Sequence, residues 1–224
     1  MLSKSGEVRH IRIILLGAPG AGKGTQAEKL YQLLHIPTIS TGSILRTAVV
    51  ENTPVGQLAK PYLDAGTLVP DEVIIAVIKE RLEQPDCAGG YILDGVPRTI
   101  AQAELLEAAG IYFDHVISIE VSDEIILSRM AGRRVCSFCG KGYHLEALPP
   151  RRPGVCDQCR GKLICRSDDK PEIVHNRLAI YHRETAPLKV FYAKRGILKS
   201  VAAHGSVETI TQDILRVLEQ PVMI

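Results

Sequence analysis

The stretch GAPGAGKGT, residues Gly17–Thr25, decides the fold of this chain. It follows an apolar run, Ile11–Leu16, that predicts a buried strand, and it precedes Gln26–Leu34, which predicts a helix. A phosphate-binding loop requires this context, because backbone N–H groups and the positive end of the helix converge on an anion. An accidental glycine-rich turn is the alternative, and it leaves the strand, the lysine and the helix unexplained.

Two side chains of this loop carry the predicted chemistry. Lys23 is long enough to reach terminal phosphates, and Thr25 offers a hydroxyl to Mg²⁺. The general pattern places Ser or Thr directly after the lysine, whereas here Gly24 comes first and Thr25 follows. The loop predicts that a nucleoside triphosphate with Mg²⁺ is the first ligand.

The composition narrows the class of protein. The chain has 224 residues, 46% of them hydrophobic, which suffices for one α/β core with an insertion or two. Aromatic residues make up only 4%, with no Trp, and the formal net charge is +2, so nucleic-acid and anionic-membrane binding are disfavoured. No apolar stretch has membrane-spanning length, and residues 1–10 lack the apolar run of a signal peptide. We therefore expect a polar tail there, and a cytoplasmic protein without membrane or nucleic-acid partners.

Strand-like and helical patterns alternate along the chain and predict an α/β fold with a doubly wound, parallel five-stranded sheet. Strands are predicted at Ile11–Leu16, Ile36–Ile39, Tyr91–Leu93, His115–Val121 and Ile197–Ala203. Helices are predicted at Gly22–Leu34, Asp71–Glu83, Thr99–Ala109, Asp123–Arg134 and Glu172–Ala193, the last with a kink or break at Pro187. Two segments interrupt the alternation: Ser40–Val69 is helical without a strand, and Val135–Asp169 is rich in Cys, Gly, Pro and Arg. They predict two insertions.

The second insertion carries two cysteine pairs. Cys136 and Cys139 are followed, after sixteen intervening residues, by Cys156 and Cys159. Two C-x-x-C pairs at this separation suit a tetrahedral Cys₄ zinc site, and disulfides are rare in the cytosol. Chance pairing or a redox-active motif is the alternative, and His144 is a rival ligand. The pattern predicts a structural zinc ion.

Arginines flank this insertion. Arg129, Arg133 and Arg134 precede it, and Arg166 and Arg177 follow it. The arrangement indicates a hinged lid that closes guanidinium groups over a polyphosphate. Solvated helix charges are the alternative, and for Arg134 we adopt it.

Carboxylates at the ends of predicted strands and helices are candidates for binding Mg²⁺ or for capping a helix. Asp94 directly follows a strand, where a carboxylate orients Mg²⁺ or its water. The following turn presents Arg98 to the crevice, although such residues are ordinary in turns. Asp169 with Glu172 predicts a capping box for the next helix, and Asp168 is compatible with either role.

Together these motifs resemble the adenylate kinase family, in its long form with a zinc-binding lid. The similarity runs from about Ile11 to Leu218 and rests on the phosphate loop, Ser40–Arg46, Gly66–Val73, Leu93–Thr99, Gly132–Cys136 and Cys165–Leu178. The resemblance implies a P-loop core of residues 1–39, 70–131 and 170–224, an AMP-binding segment 40–69 and a lid 132–169. It also implies Mg²⁺-dependent conversion of ATP and AMP to two ADP, and we expect a monomer.

The resemblance further implies roles by motif position. For the ATP side it implies Gly20, Ala21, Gly22, Lys23, Gly24, Thr25, Arg129, Arg133, Gly142, Tyr143 and the backbone near Val207. For the AMP side it implies Thr41, Arg46, Thr67, Leu68, Val69, Gly95, Val96, Pro97, Arg98 and Gln102, with Arg166 and Arg177 gathering the transferring phosphate. The implied catalytic set is Lys23, Arg98, Arg133, Arg166 and Arg177, and Thr25 with Asp94 would hold Mg²⁺, partly through water.

Two positions depart from the family pattern. Ser43 stands where Asp is usual, and Val96 stands where Phe is usual. They bear on AMP affinity and on strictness toward the acceptor base rather than on the reaction. Two other functions stay open: a kinase for UMP or CMP, whose members usually lack the long lid, and a non-catalytic P-loop module that binds nucleic acid through the cysteine-rich segment.

Overall fold

The computed structural model describes residues 10–219, so the predicted polar tail lies outside the described residues except for His10. The strands and α-helices are β1 (Ile11–Leu16), α1 (Lys23–Leu34), β2 (Thr38–Ser40), α2 (Thr41–Val50), α3 (Pro54–Ala65), α4 (Asp71–Leu82), β3 (Gly90–Asp94), α5 (Ile100–Ala108), β4 (His115–Glu120), α6 (Asp123–Gly132), β5 (Arg133–Cys136), β6 (Gly142–His144), β7 (Leu163–Ile164), α7 (Pro171–Ile180), α8 (Leu188–Ala193), β8 (Leu198–Ala202) and α9 (Val207–Leu218).

A five-stranded sheet in the order β2-β3-β1-β4-β8 forms the centre, and each neighbouring pair is parallel. The chain runs from β1 outward to β2, returns to β3 and then crosses to β4 on the other side. The predicted doubly wound α/β fold is confirmed. Because the winding direction changes beside β1, a crevice opens at the carboxyl ends of β1 and β3, where such folds bind ligands.

The sheet is covered on both faces by helices. Ile14 and Leu16 of β1 pack with α4, α5 and α8 on one face. Ile13 and Leu15 alternate with them and pack with α1 and α9 on the other face. Burial on both faces explains why the β1 sequence is apolar without interruption.

Two segments stand apart from this sheet. The first is α2 followed by α3, a helical pair as predicted, in which Gly56 lets the helices pack closely because a Cβ there would lie 2.0 Å from the Ala48 carbonyl oxygen. The second is a three-stranded antiparallel sheet in the order β6-β5-β7. Its small interior contains Cys136, Tyr143 and Cys156.

The element boundaries differ from prediction by more than one residue in three places. β2 begins at Thr38 rather than Ile36, and the preceding Pro37 has no N–H to donate to a strand partner. α6 ends at Gly132, and Arg133 is already extended. The predicted long helix after residue 172 is interrupted by a π-helical turn at Tyr181–Thr185 and resumes after Pro187, near the predicted break. Within residues 10–219, no helix is long and apolar enough to cross a membrane.

Candidate active site

The loop after β1 closes over the amino end of α1. At Gly17, φ is 147° and a Cβ would lie 2.9 Å from the Ile119 carbonyl oxygen, so only glycine fits there. At Gly22, the residue before α1, φ is 101°, which again favours glycine. These two positions fold the backbone into the concave turn that the sequence predicted, with free helix N–H groups at its base.

Lys23 lies half-buried in this turn. Its ammonium group donates to the carbonyl oxygens of Gly17 at 2.7 Å and Ala18 at 3.0 Å. Removal from water, together with the positive charges of Arg98 and Arg177, lowers the Lys23 pKa to about 8 against the opposing effect of Asp94. A bound anion would raise this pKa again, so Lys23 would be fully protonated when phosphate is bound.

Asp94 closes the other side of the loop. It is the last residue of β3, and its carboxylate would lie 3.6 Å from a Cβ placed on Gly24. The carboxylate thus faces the first turn of α1, which contains Thr25. A hydroxyl and a carboxylate beside a phosphate loop are oxygen ligands of the type Mg²⁺ prefers, so these residues fit the predicted magnesium site.

Two clefts meet above the carboxyl ends of β1 and β3. The first is lined by Lys23 and Arg177 among others. The second lies under the α2–α3 pair and is lined by apolar side chains together with Thr41, Thr67 and Gln102. Both clefts are lined by Leu68, Gly95 and Arg98. Arg98 is therefore placed to contact an anion in either cleft, and two anions bound in the two clefts would meet beside it.

Arginines surround this meeting point. Arg98 donates through Nε to the Gly95 carbonyl oxygen at 2.8 Å, and its burial lowers its pKa. Burial and the nearby Arg166 charge lower the pKa of Arg46 to about 9. Burial likewise lowers the pKa of Arg177 to about 10, with Arg133 and Arg166 contributing to the same effect. The lowered pKa values show that these neighbouring cations repel one another, so a bound polyanion would be strongly attracted to them.

Two acidic residues compensate part of this charge. Arg166 pairs with Asp168 through two hydrogen bonds, and Arg133 pairs in the same way with Asp169. Arg177 contacts both carboxylates, at 3.1 Å and 3.5 Å. Burial opposes ionisation of Asp168, but the hydrogen bond and charge of Arg166 prevail and lower its pKa to about 2.

The predicted capping role of Asp169 is wrong. Lys170 is the residue before α7, Pro171 takes the first helical position, and the helix has no side-chain cap. Asp169 lies in a 3₁₀ turn, Ser167–Asp169, with its side chain 1% exposed against Arg133. The two arginines of GRRVC and the two aspartates of CRSDD are the sequence signal from which this pairing could have been found.

Gln102 is held by a residue that the sequence reasoning missed. Its Oε1 accepts from the Arg98 backbone N–H at 2.7 Å, and its Nε2 donates to Asp71 Oδ1 at 2.7 Å. Because an N–H only donates and a carboxylate only accepts, the amide orientation is determined. Asp71, the first residue of α4, thereby supports both the second cleft and the backbone of Arg98.

Arg129 connects the phosphate loop to a neighbouring loop. It donates to the carbonyl oxygens of Ala21 at 3.3 Å and Ala203 at 3.0 Å. The Val207 carbonyl oxygen already accepts from the Gln26 side chain at 3.0 Å. Arg129 therefore contacts the phosphate loop, while the Val207 carbonyl oxygen is already engaged by Gln26 of α1.

Three other residues singled out in the sequence have side chains that do not line either cleft. Val96 is 1% exposed and packs in the core. Tyr143 is 5% exposed inside the small antiparallel sheet, whereas its neighbour Gly142 is exposed. Arg134, expected as a solvated helix charge, instead lies half-buried in β5 and donates to the carbonyl oxygens of Ala131 and Arg133.

The four paired cysteines converge at one point. Their sulfur atoms all lie within 4.8 Å of one another, with Cys136 to Cys159 at 3.4 Å and Cys139 to Cys156 at 3.6 Å. Sulfurs around a tetrahedral zinc, with Zn–S near 2.3 Å, lie about 3.8 Å apart. Gly161 leaves room for them, since a Cβ there would lie 2.8 Å from Cys136 Sγ. The cluster fits zinc.

His144, the rival ligand, is not in this cluster. Its Nδ1 accepts from the backbone N–H groups of Glu146 and Ala147, both at 3.1 Å. Its Nε2 would lie 2.4 Å from a Cβ on Gly132, so the ring packs against the end of α6. His144 therefore shapes the junction between α6 and the antiparallel sheet.

A phosphate loop, a second cleft and an arginine cluster at their junction define a P-loop phosphotransferase. Comparison with known proteins agrees: the adenylate kinase family model matches residues 15–197. The adenylate kinase of Geobacter sp. (strain M21) is 51% identical over 209 residues, covering 92% of this chain and 98% of that protein. Those of Geotalea daltonii and Caldicellulosiruptor saccharolyticus are 49% and 50% identical, each over 93% of this chain and over 100% and 99% of their own lengths.

The chain belongs to the adenylate kinase family, and its four-cysteine cluster supports the form with a zinc-binding lid. It is a nucleoside monophosphate kinase, a phosphotransferase that binds nucleotides.

Proposed function

We propose that this enzyme transfers the γ-phosphoryl group of Mg²⁺–ATP to AMP and releases two ADP. The observation that carries the proposal is the pair of clefts that meet at Gly95 and Arg98. One cleft is built on a phosphate loop, and the other is an apolar slot with a fixed amide, suited to a base. Two nucleotides bound in them would direct their phosphates at one another.

The first cleft is assigned to ATP. The backbone of residues 20–25 and the Lys23 ammonium receive the β- and γ-phosphates, and Arg129 lies over the loop. Thr25 and Asp94 would hold Mg²⁺, partly through water, and the ion would neutralise charge on the phosphate oxygens. Arg133, Gly142 and the Tyr143 backbone face ATP from the lid.

The second cleft is assigned to AMP, with Thr41, Arg46, Thr67, Leu68, Val69, Gly95, Pro97, Arg98 and Gln102 as its residues, while Val96 supports it from the core. An oxygen of the AMP phosphate attacks the γ-phosphorus, the bond to the β-phosphate oxygen breaks, and ADP forms on both sides. Since the attacking phosphate is already ionised, the step needs no general base. Arg98, Arg133, Arg166, Arg177 and Lys23 stabilise the transferring charge.

The organisation of the chain follows this assignment. The core is residues 1–39, 70–131 and 170–224, the AMP-binding segment is 40–69 and the lid is 132–169. Zinc in the lid is structural, because four cysteines fill a tetrahedral shell and leave no position for substrate. The enzyme acts as a cytoplasmic monomer, in line with the composition that favoured no nucleic-acid or membrane partner.

The test is an assay of ADP formation from ATP with AMP, GMP, UMP and CMP as separate acceptors. The proposal predicts the highest kcat/KM with AMP. Faster turnover with UMP or CMP would reassign the acceptor, and Val96 would then be the first position to examine. Transfer to none of the four, with nucleic-acid binding instead, would favour the non-catalytic alternative.

A further inference from the structure

The Tyr143 hydroxyl lies beside a sulfur of the cysteine cluster. Tyr143 is in the middle of β6 and 5% exposed, and its oxygen is 3.3 Å from Cys156 Sγ. The same oxygen is 2.8 Å from the backbone nitrogen of Asp157. The residue that the family pattern assigns to the nucleotide side therefore extends its side chain to the cysteine cluster.

The direction of both hydrogen bonds follows from chemistry. The backbone N–H of Asp157 can only donate, so the phenolic oxygen accepts from it. The one hydrogen of the hydroxyl then remains for Cys156 Sγ, which in a zinc-bound thiolate is an acceptor only. We propose that Tyr143 donates a hydrogen bond to the metal-bound thiolate of Cys156 and so stabilises the zinc centre of the lid. The inference rests on zinc in the cluster and is independent of which nucleotides the enzyme uses.

The charge of the site explains why such a donor is useful. Four thiolates around Zn²⁺ leave two net negative charges in a small domain. Cys136 Sγ accepts from the backbone N–H groups of Phe138 at 3.4 Å and Cys139 at 3.5 Å. Cys156 is 1% exposed, whereas Cys139 is exposed to water. Charge on the buried sulfur of Cys156 therefore depends most on protein donors, and the Tyr143 hydroxyl is one of them.

Replacement of Tyr143 by Phe tests the proposal, because it removes the hydroxyl and keeps the ring in the interior of the lid. Competition with a chromophoric chelator should show zinc affinity about 10–100-fold weaker, the range for loss of an outer-shell partner. Tyr192→Phe is the matched control, since Tyr192 is 2% exposed in the core and away from the cysteines. Its zinc affinity should equal that of the parent.

Spectra of the Co²⁺-substituted enzyme distinguish the loss of a hydrogen bond to sulfur from a general loosening of the lid. In the Co²⁺-substituted enzyme, loss of a donor to a thiolate raises the energy of the sulfur electrons and should shift the sulfur-to-metal charge-transfer band to lower energy. The ligand-field bands, which report tetrahedral geometry, should stay in place. A 3-fluorotyrosine at position 143, a stronger donor in the same fold, should shift the charge-transfer band the other way.

Three results would overturn the proposal. One is unchanged zinc affinity and an unchanged band in Tyr143→Phe. Another is weaker zinc binding with altered ligand-field bands alone, which would indicate a packing role. A third is a raised KM for ATP with unaltered zinc affinity, which would show that the Tyr143 hydroxyl acts in nucleotide binding.

Discussion

Arg46 shows, at the scale of one residue, that a side chain placed to bind phosphate can lower the folding stability of the free protein. Its side chain is half-buried beside Arg166, Arg133 and Arg177, and partial removal from water together with these charges lowers its pKa. In the free protein its one side-chain hydrogen bond within residues 10–219 goes to the Ser43 hydroxyl at 3.5 Å. The Asp that is usual at position 43 would have offset this charge, so the serine leaves Arg46 more dependent on a bound phosphate.

Arg46→Met should therefore raise the melting temperature of the free enzyme by a few degrees, because it removes a desolvated charge and keeps the apolar stem. It should also raise the KM for AMP by ~30-fold, as expected for a lost charge-assisted hydrogen bond of about 2 kcal/mol, with a much smaller effect on the KM for ATP. Calorimetry and two-substrate kinetics measure both effects. Equal changes in the two KM values would mean that Arg46 lies in the wrong cleft, and a lower melting temperature would contradict the electrostatic account.

Lys23 supplies a prediction about pH. Its pKa in the free protein is lowered to about 8 from 10.5, so burial of its charge costs stability below pH 8, and this cost is relieved as the pH rises toward 10.5. Bound phosphates would raise the pKa again. Binding of ATP at pH 8 should therefore take up about half a proton, and affinity should fall as the pH rises above 8.

Titration calorimetry in two buffers of different ionisation enthalpy measures this uptake directly. Lys23→Arg is the control, because its guanidinium stays protonated across this range and should show no uptake. Proton release by the parent, or the same uptake in Lys23→Arg, would contradict the assignment.

At the scale of elements, the lid contacts the core through an ion pair outside the catalytic cluster. Lys141, between β5 and β6, lies 3.3 Å from Glu28 on α1. The pair joins the lid to the helix that begins at the phosphate loop, so it favours the closed arrangement. Exposed pairs of this kind contribute about 0.2–1 kcal/mol.

Glu28→Gln should shift the lid toward opening. If opening limits turnover, kcat and the KM for ATP should both rise by up to about fivefold, with kcat/KM nearly constant. The difference from the parent should vanish at high salt, and exchange of the charges in Glu28→Lys with Lys141→Glu should restore parental kinetics. Glu80→Gln on α4 is the control, as Glu80 is exposed on a helix of the core. A change that persists at high salt would show that the ion pair is not its cause.

How well sequence predicts each element depends on where its partners lie. The strand before Gly17 and the helix that begins at Asp123 are encoded by local periodicity: the strand has its predicted bounds, and the helix begins where predicted and ends two residues earlier. Asp169 is different: its sequence neighbours suggest a capping box, but its partners Arg133 and Arg177 lie 36 and 8 residues away along the chain and are brought to it by the fold. Likewise the spacing of Tyr143 contained no information about which way its ring points across β6.

At the scale of the whole molecule, the parallel α/β sheet was predictable from the alternation of strand and helix patterns, and the four-cysteine cluster was predictable from the spacing of its two cysteine pairs. The junction of the two clefts was not, since it depends on α3 reaching α7. There the Ala65 carbonyl oxygen accepts from Asn176 at 3.0 Å, and a Cβ on Gly66 would lie 2.7 Å from Ile173. Such contacts between distant segments assemble the second cleft and set its distance from Lys23.

The central claim is that a phosphoryl group passes directly between nucleotides held in the two clefts. Single-turnover reaction of the enzyme with ATP labelled at the γ-phosphorus and unlabelled AMP tests it most directly. The account predicts that the label appears in the β-position of ADP made from AMP, with little free phosphate, and that folded Lys23→Met slows this step by ~10³ or more. Label released mainly as inorganic phosphate, or a Lys23→Met enzyme within tenfold of the parent, would contradict it.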